Sequence, residues 1–371
     1  MEGGDKKVEI KLVNEGTYGC IYRPGITCDG KQETAKYITK IQKNKRAIQN
    51  ELTISNKIRN ITGYTRFFAP ILKQCGVKIT KDTAQGLKQC EVFENDTIED
   101  IADYVSTKIR YVGNQDLMKY LLSELQGSKF HVEVWKTHTY LLKALQKLVA
   151  KNIVHYDIKY NNIIYDNGLS VPIFIDFGLA FSSESLGDAS SDLEKIFFVF
   201  EYYSWWPIDV VMCSYIIQQI GKTESKTAIV SAEQLEEVYD VFLRGTQDPQ
   251  KDQAREVKND VFRLQILNSE EKQAQFRKAY EEYFTKFVGQ KWWSVYENMI
   301  KYVDTWDNYS VAATYLVILD DAASANPIAY QSNKNSAKYG AYIDLLESIV
   351  YSSPENRPSL KDSLKRIPKL I

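Results

Sequence analysis

Three chemically distinct side chains fall within one short run of the chain. Asp157, Lys159 and Asn162 lie in the string HYDIKYNN, which apolar residues flank on both sides. An aspartate accepts a proton from a hydroxyl, a lysine neutralises a phosphate, and an asparagine offers an oxygen to a divalent cation. A polar turn between a helix and a strand would contain similar residues without any chemistry. The run therefore predicts an active site only if the rest of the chain supplies partners for it.

A second acid follows an apolar run further along the chain. Asp176 comes directly after Ile173–Ile175 and is followed by Phe177 and Gly178. An acid at the end of a buried strand needs a cation beside it, and a glycine lets the chain turn. With Asn162, Asp176 would supply two hard oxygen ligands for Mg²⁺, which usually also binds substrate phosphates. Taken singly, Asp176 is better explained as the N-cap of a helix.

Groups that would bind phosphate occur near the N-terminus. Gly16 and Gly19 lie in a predicted strand–turn–strand, where backbone N–H groups can approach phosphate oxygens. For two glycines alone, a hairpin turn is the better explanation. Lys40 in the next strand would reach the same phosphates. Glu51, eleven residues on, would pair with the Lys40 ammonium, whereas singly each would be a solvated surface charge.

The elements that must position these residues change from strands to helices along the chain. A helix carrying Glu51 near its middle is predicted over 46–60, and a long amphipathic helix over 128–152 ends just before His155. Strand patterns precede and follow the first helix, at 8–24, 34–43, 67–79 and 107–117. This order predicts an α+β fold with a small β part and a larger helical part.

Composition narrows the class of protein. The chain has 371 residues, of which 44% are apolar, so we expect one large two-lobed unit or two domains. A net charge of -1 gives no field that would gather nucleic acid or an anionic membrane, and there is neither an apolar signal core nor an 18-residue apolar run. Five scattered cysteines without metal spacing predict a reduced, cytosol-like compartment: Cys20, Cys28, Cys75, Cys90 and Cys213.

The ordered combination resembles the eukaryotic-type protein kinase family. A glycine loop, a strand lysine and a helix glutamate precede the H-x-D-x-K-x-x-N run of His155–Asn162 and then the string Asp176–Gly178. IRYVGNQDL resembles the family's hinge. DTWDNYSVAATYLVIL resembles the start of its D-x-W-S-x-G helix, and PENRPSL resembles its late arginine turn. The resemblance spans about residues 8–370.

The resemblance implies a bilobal protein-kinase-like fold, with a mainly β N-lobe over 8–113 and a mainly α C-lobe over 114–371. It implies a serine/threonine kinase that uses ATP and Mg²⁺, in which Asp157 and Lys159 are catalytic and Asn162 and Asp176 hold the metal. It also implies structural support from His155, Asp307 and Arg357. The residues implied for ATP binding are Asn14, Glu15, Gly16, Gly19, Ile21, Ile38, Lys40, Glu51, Arg110, Val112 and Ile164.

Several positions depart from the family pattern. Asn14 replaces the first loop glycine, and Tyr156 stands where an arginine usually reads an activating phosphate, which makes activation through such a phosphate less expected. Trp206 begins the string that replaces A-P-E, so Arg357 is predicted to pair with Asp209 instead.

A helical insertion is predicted over about 213–300. It carries an aromatic stripe that we expect to pack on the large lobe, although it would also suit a protein partner: Phe276, Tyr280, Tyr283 and Phe287.

Together these departures are similar to the divergent kinases of nucleocytoplasmic large DNA viruses, which would place the chain in the host cytoplasm or the virion. The expected partner is a protein substrate with a serine or threonine acceptor, with no nucleic acid and no membrane. An inactive scaffold with a kinase fold remains an alternative, as does a small-molecule kinase of the aminoglycoside or choline type.

Overall fold

The computed structural model forms two compact units. Unit 1 comprises Met1–Asn114 and Asp166–Ala180, and unit 2 comprises Gln115–Tyr165 and Phe181–Ile371. The segment 166–180 thus falls in the second domain of the prediction and in unit 1 of the structure. Within these bounds the structure describes residues 10–16, 19–43, 45–76, 78, 81–95, 104–125, 130–188, 190–198, 203–244, 261, 264, 269–334 and 337–367.

Unit 1 contains an antiparallel sheet of five strands among its described residues, in the order β1-β2-β3-β5-β4. Lys40 lies in β3, opposite Ile21 of β2 and Thr107 of β5. The sheet and the helices described next confirm the predicted α+β class. The strands are β1 (Leu12–Gly16), β2 (Gly19–Tyr22), β3 (Tyr37–Gln42), β4 (Ile71–Gly76) and β5 (Val105–Arg110).

Two helices of unit 1 lie between strands of the sheet in sequence, one after β3 and one after β4. Helix α1 (Lys45–Arg59) starts one residue before its predicted span. It forms because its apolar positions recur at helical spacing, and one of them, Ile48, is fully buried. Helix α2 (Lys81–Leu87) was not predicted. It contributes Leu87 to a small core that also contains Tyr22, Ile41 and Phe93.

The four cysteines of unit 1 form two disulfides, which corrects the prediction of reduced thiols. Cys20 is bonded to Cys90, and Cys28 is bonded to Cys75, while Cys213 of unit 2 is free and buried. The bonded residues are 70 and 47 positions apart. The pairs were missed because no local spacing marks partners that only the folded sheet brings together.

Unit 2 is mainly helical. Strands β6 (Ile153–Val154) and β9 (Phe181–Ser182) form a short antiparallel pair. In the sequence, β6 comes before the run of His155–Asn162 and β9 comes after it. Between them in sequence come β7 (Ile163–Asp166), at the end of this part of unit 2, and β8 (Val171–Phe174), which belongs to unit 1. The helices of unit 2 are α3 (Leu117–Ser123), α4 (Phe130–Val149), α5 (Ile208–Tyr215), α6 (Ala232–Arg244), α7 (Ser269–Phe284), α8 (Trp292–Met299), α9 (Trp306–Ala325), α10 (Pro327–Lys334), α11 (Ala337–Val350) and α12 (Leu360–Arg366).

The aromatic stripe of the predicted insertion is buried, but its first two rings pack on helix α6 of the insertion itself. The ring centroid of Phe276 lies 5.5 Å from that of Phe242, and the Tyr280 ring lies 4.8 Å from that of Tyr239. Phe287 lies beyond the end of α7, in a short 3₁₀ turn. The insertion therefore forms part of its own core, because two amphipathic helices can bury their apolar faces against each other.

Across the described residues, no helix has the length and the apolar character needed to span a bilayer.

Candidate functional site

An ion cluster in unit 1 is centred on Lys40. The Lys40 Nζ lies 3.3 Å from the Asp176 Oδ1 and 3.9 Å from the Glu51 Oε2, and the lysine side chain is 15% exposed. Strand β3 supplies the lysine, helix α1 the glutamate, and the segment after β8 the aspartate. An ammonium between two carboxylates is held in place at the cost of mobility, and it can still attract a further anion.

Glu51 differs from an ordinary surface glutamate in its burial. Only 3% of the residue is exposed, so the interpretation of Glu51 as an exposed helix charge is wrong. Burial raises the pKa of the Glu51 carboxyl to about 7, although the nearby Lys40 ammonium opposes the shift and the charge of Asp176 adds to it. Ionisation of this carboxyl, and with it full pairing with Lys40, is therefore favoured as the pH rises.

Asp176 has a backbone conformation that few aspartates adopt. Its φ is 57°, in the left-handed region, and its Oδ1 accepts a hydrogen bond from the Gly178 N–H at 3.3 Å. Phe177 is buried and packs edge-on against Phe68, with ring centroids 6.2 Å apart. The side chain of Asp176 is nevertheless 42% exposed. Because Phe177 and Gly178 hold the backbone beside it, Asp176 directs one carboxylate oxygen toward Lys40 while its side chain stays accessible.

The two loop glycines lie opposite each other at the β1–β2 turn. A Cβ on Gly19 would lie 2.0 Å from the Ile41 carbonyl oxygen, so glycine is required there by the close approach of β3. Asn14 and Glu15 are exposed in β1, and the Asn14 side chain accepts a hydrogen bond from the Glu15 N–H. Residues 17 and 18 of the predicted phosphate loop lie outside the described residues.

The predicted adenine-site residues are placed in or near β3 and β5. Ile38 is half-buried in β3, and Val112 is buried just after β5. The Arg110 guanidinium binds the Asp166 carboxylate at 3.1 Å and donates to the Thr65 carbonyl at 2.7 Å. These bonds occupy its charged end, so only the stem of Arg110 is left for the predicted contact with ATP.

In unit 2 the Asp157 carboxylate is the centre of a hydrogen-bond network. Its Oδ2 accepts from the Asn162 Nδ2 at 2.8 Å, and its Oδ1 lies 3.1 Å from the Lys159 Nζ. The Asn162 amide also donates to the Asp157 carbonyl at 2.8 Å, which closes the loop between them. The other predicted residue of this region, Ile164, is half-buried in β7. The structure thus brings together the acid, lysine and amide of the opening run.

Tyr203 joins this network and was not predicted. Its hydroxyl donates a short hydrogen bond to the Asp157 Oδ1 and accepts one from the Lys159 Nζ at 2.9 Å. The tyrosine is 46 residues beyond Asp157, so no spacing in the sequence indicates the contact. The only signal is its place three residues before Trp206, which begins the string that replaces A-P-E.

The backbone of the Asp157 loop is held by a buried acid from helix α9. Asp307 accepts hydrogen bonds from the N–H groups of His155, at 2.7 Å, and Tyr156, at 3.0 Å. Burial raises the pKa of the Asp307 carboxyl, while His155 and the two N–H groups oppose the shift. The predicted bracing contact of Asp307 is therefore present.

Tyr156 is packed among aromatic side chains. Its ring stacks on that of Trp206 with centroids 4.7 Å apart, and the Trp206 Nε1 donates to the Tyr156 carbonyl at 2.8 Å. The ring of Phe181 meets it edge-on at 5.1 Å. Apolar packing and one hydrogen bond therefore hold this segment where the family's pattern has an arginine.

Arg357 forms the predicted ion pair with Asp209. The guanidinium makes two hydrogen bonds to the carboxylate, at 2.6 and 3.0 Å, and both side chains are almost fully buried. The Trp306 Nε1 donates to the same carboxylate at 2.7 Å. Such a buried, bidentate pair fixes the start of helix α5 to the segment before α12.

No protein-family model matches the chain, and a search of curated proteins finds no match either. The function must therefore be inferred from the residues themselves.

Proposed function

We propose that the chain is an ATP- and Mg²⁺-dependent protein kinase that transfers the γ-phosphate to serine or threonine hydroxyls, with the bilobal fold that this activity uses. The observation that carries the proposal is the cluster of Lys40, Glu51 and Asp176. Lys40 and Glu51 are eleven residues apart, and Asp176 is far from both in the sequence. All three were singled out by their types, and they meet at one ammonium. A chance surface cluster would not bury one of its carboxylates or strain the backbone of the other.

Each residue has one role in the proposal. Lys40, positioned by Glu51, binds ATP phosphates, and Asp176 and Asn162 are the proposed Mg²⁺ ligands. Asp157 accepts the proton of the acceptor hydroxyl, and Lys159 neutralises charge on the transferred group. The metal, when bound, would neutralise phosphate charge. Because phosphoryl transfer needs little covalent work from the protein, most of the catalysis comes from positioning and electrostatics.

The accessible carboxylate of Asp176 supports a metal-binding role. A carboxylate and a side-chain amide are hard oxygen donors, and Mg²⁺ commonly takes only one or two such ligands from a protein. Part of the Asp176 side chain is exposed and is not covered by its bond to Lys40.

The test is transfer of labelled phosphate from ATP in the presence of Mg²⁺, offered in parallel to a generic basic protein and to a panel of small alcohols. We expect the wild-type chain to label serine or threonine in the protein. Asp176→Ala should abolish this, whereas Asp344→Ala, an exposed acid in α11, should not. Labelling of a small alcohol instead would favour a small-molecule kinase, and no transfer at all would favour an inactive scaffold.

A further inference from the structure

The hydroxyl of Tyr203 has the contacts that an acceptor hydroxyl would need. It donates to Asp157, the proposed base, and accepts from Lys159, the proposed phosphate-binding cation. We propose that Tyr203 is a phosphoacceptor of this chain and takes one phosphate from ATP in an intramolecular reaction. This inference rests on the proposed kinase function and adds a modification site to it.

The packing of the tyrosine ring supports a defined position for the hydroxyl. The ring meets that of Trp206 edge-on, with centroids 5.1 Å apart, and Lys159 Nζ lies 5.5 Å from its centroid. Trp206 is itself buried against Tyr156. The ring contact and the two hydrogen bonds of the hydroxyl therefore hold it at the carboxylate, as positioning for a chemical step requires.

The reaction balances with MgATP as the only co-reactant. The Tyr203 oxygen forms a bond to the γ-phosphorus while the bond from that phosphorus to the bridging oxygen breaks, and ADP leaves. The phenol proton passes to the Asp157 Oδ1 and from there to solvent. A phenol is a poor nucleophile while protonated, so the existing hydrogen bond to a carboxylate supplies the acceptor that the step needs.

The phosphorylated Tyr203 side chain would not keep the position that the free hydroxyl occupies. A phosphotyrosine carries a charge of about -2 at neutral pH, and it would stand beside the ionised Asp157. Repulsion would move the modified side chain away and free the carboxylate for other acceptors. Because a tyrosine has a single hydroxyl, the reaction stops at one phosphate on Tyr203 per chain.

The experiment follows phosphate on Tyr203 by mass spectrometry after incubation of the full chain with MgATP, with the basic protein present in a parallel sample. We expect one phosphate on Tyr203, formed with a first-order rate constant that does not change when the chain is diluted. Asp157→Asn should slow it by at least about 100-fold, the usual minimum for removing a general base. Tyr203→Phe should lose this phosphate, whereas Tyr302→Phe, a matched change of a half-buried tyrosine elsewhere in unit 2, should retain it.

The outcomes separate this inference from the proposed function. Transfer to the basic protein with no phosphate on Tyr203 overturns the inference and leaves the kinase function standing. A rate constant that rises in proportion to the concentration of the chain overturns the intramolecular route. Absence of transfer to either acceptor overturns both. Unfolding curves of the two tyrosine variants establish that a loss of phosphate is not a loss of fold.

Discussion

Lys40 lies between the carboxylates of Glu51 and Asp176, so the position of its ammonium depends on both acids. The sequence predicted its pairing with Glu51, and the structure places the two charged atoms 3.9 Å apart. It did not indicate that Glu51 is buried, because burial depends on what covers a helix face. It did not indicate the contact of the Tyr203 hydroxyl with Asp157 either, since that contact depends on how a segment 46 residues away folds back. Local strings reveal candidate chemistry, and the fold decides which groups join it.

The raised pKa of Glu51 predicts a pH-dependent stability. Between pH 4.5 and about 7 the unfolded chain ionises this carboxyl and the folded chain does not. The folded state therefore binds more protons in that window, and the free energy of unfolding falls as pH rises through it, by roughly 3 kcal/mol for this group. Glu51→Gln removes this dependence, so its stability relative to wild type should be higher at pH 8 than at pH 5.

Urea unfolding at the two pH values measures the effect, with the exposed Glu94→Gln as a matched control. The assignment of the shift to Glu51 fails if Glu51→Gln changes stability by the same amount at pH 5 and pH 8.

At the scale of elements, periodic segments were predictable and their edges less so. Helix α1 was predicted within one residue at each end. The strand predicted over 67–79 begins only at Ile71, because Pro70 before it has no N–H to donate to a sheet. Contacts between elements were predicted where the resemblance supplied them, as for Asp307 with the loop of His155 and for Arg357 with Asp209.

The Arg357–Asp209 pair is expected to be critical for the stability of unit 2. Arg357→Met keeps most of the side-chain volume but leaves the fully buried Asp209 without its cation, which should cost about 3 to 5 kcal/mol. Adding Asp209→Asn should recover part of this loss, because the uncompensated charge disappears.

Denaturant unfolding of both variants tests this, with Lys365→Met as control because its pair with Asp362 is exposed. A loss of no more than about 1 kcal/mol for Arg357→Met, the value typical of a surface pair, would contradict the structural role.

For the whole molecule, the sequence predicted an α+β chain correctly and the state of its cysteines wrongly. The fold class follows from the order of strand and helix patterns along the chain, and these patterns are local. Disulfides join positions that only the fold brings near, such as Cys20 of β2 and Cys90 after α2. The predicted reduced state rested on the absence of close cysteine pairs in the sequence, and such an absence does not exclude bonds between distant residues.

Thiol counting tests the disulfides directly. Without reductant, the denatured chain should expose a single reactive thiol, that of Cys213, and after reduction all five cysteines should react. Reduction should also lower the free energy of unfolding, by about 4 kcal/mol for a loop of the length that Cys20–Cys90 closes. Five reactive thiols before reduction would show that neither bond forms.

The central claim is that Asp157 serves phosphoryl transfer from ATP to a protein hydroxyl. The most direct measurement compares nucleotide affinity and Mg²⁺-dependent transfer to the basic protein for the wild-type chain and Asp157→Asn. We predict that the variant binds ATP as the wild type does and that transfer falls by about 10²- to 10⁴-fold, because the general base is lost while the phosphate-binding residues remain. Transfer by Asp157→Asn at the wild-type rate would contradict the account.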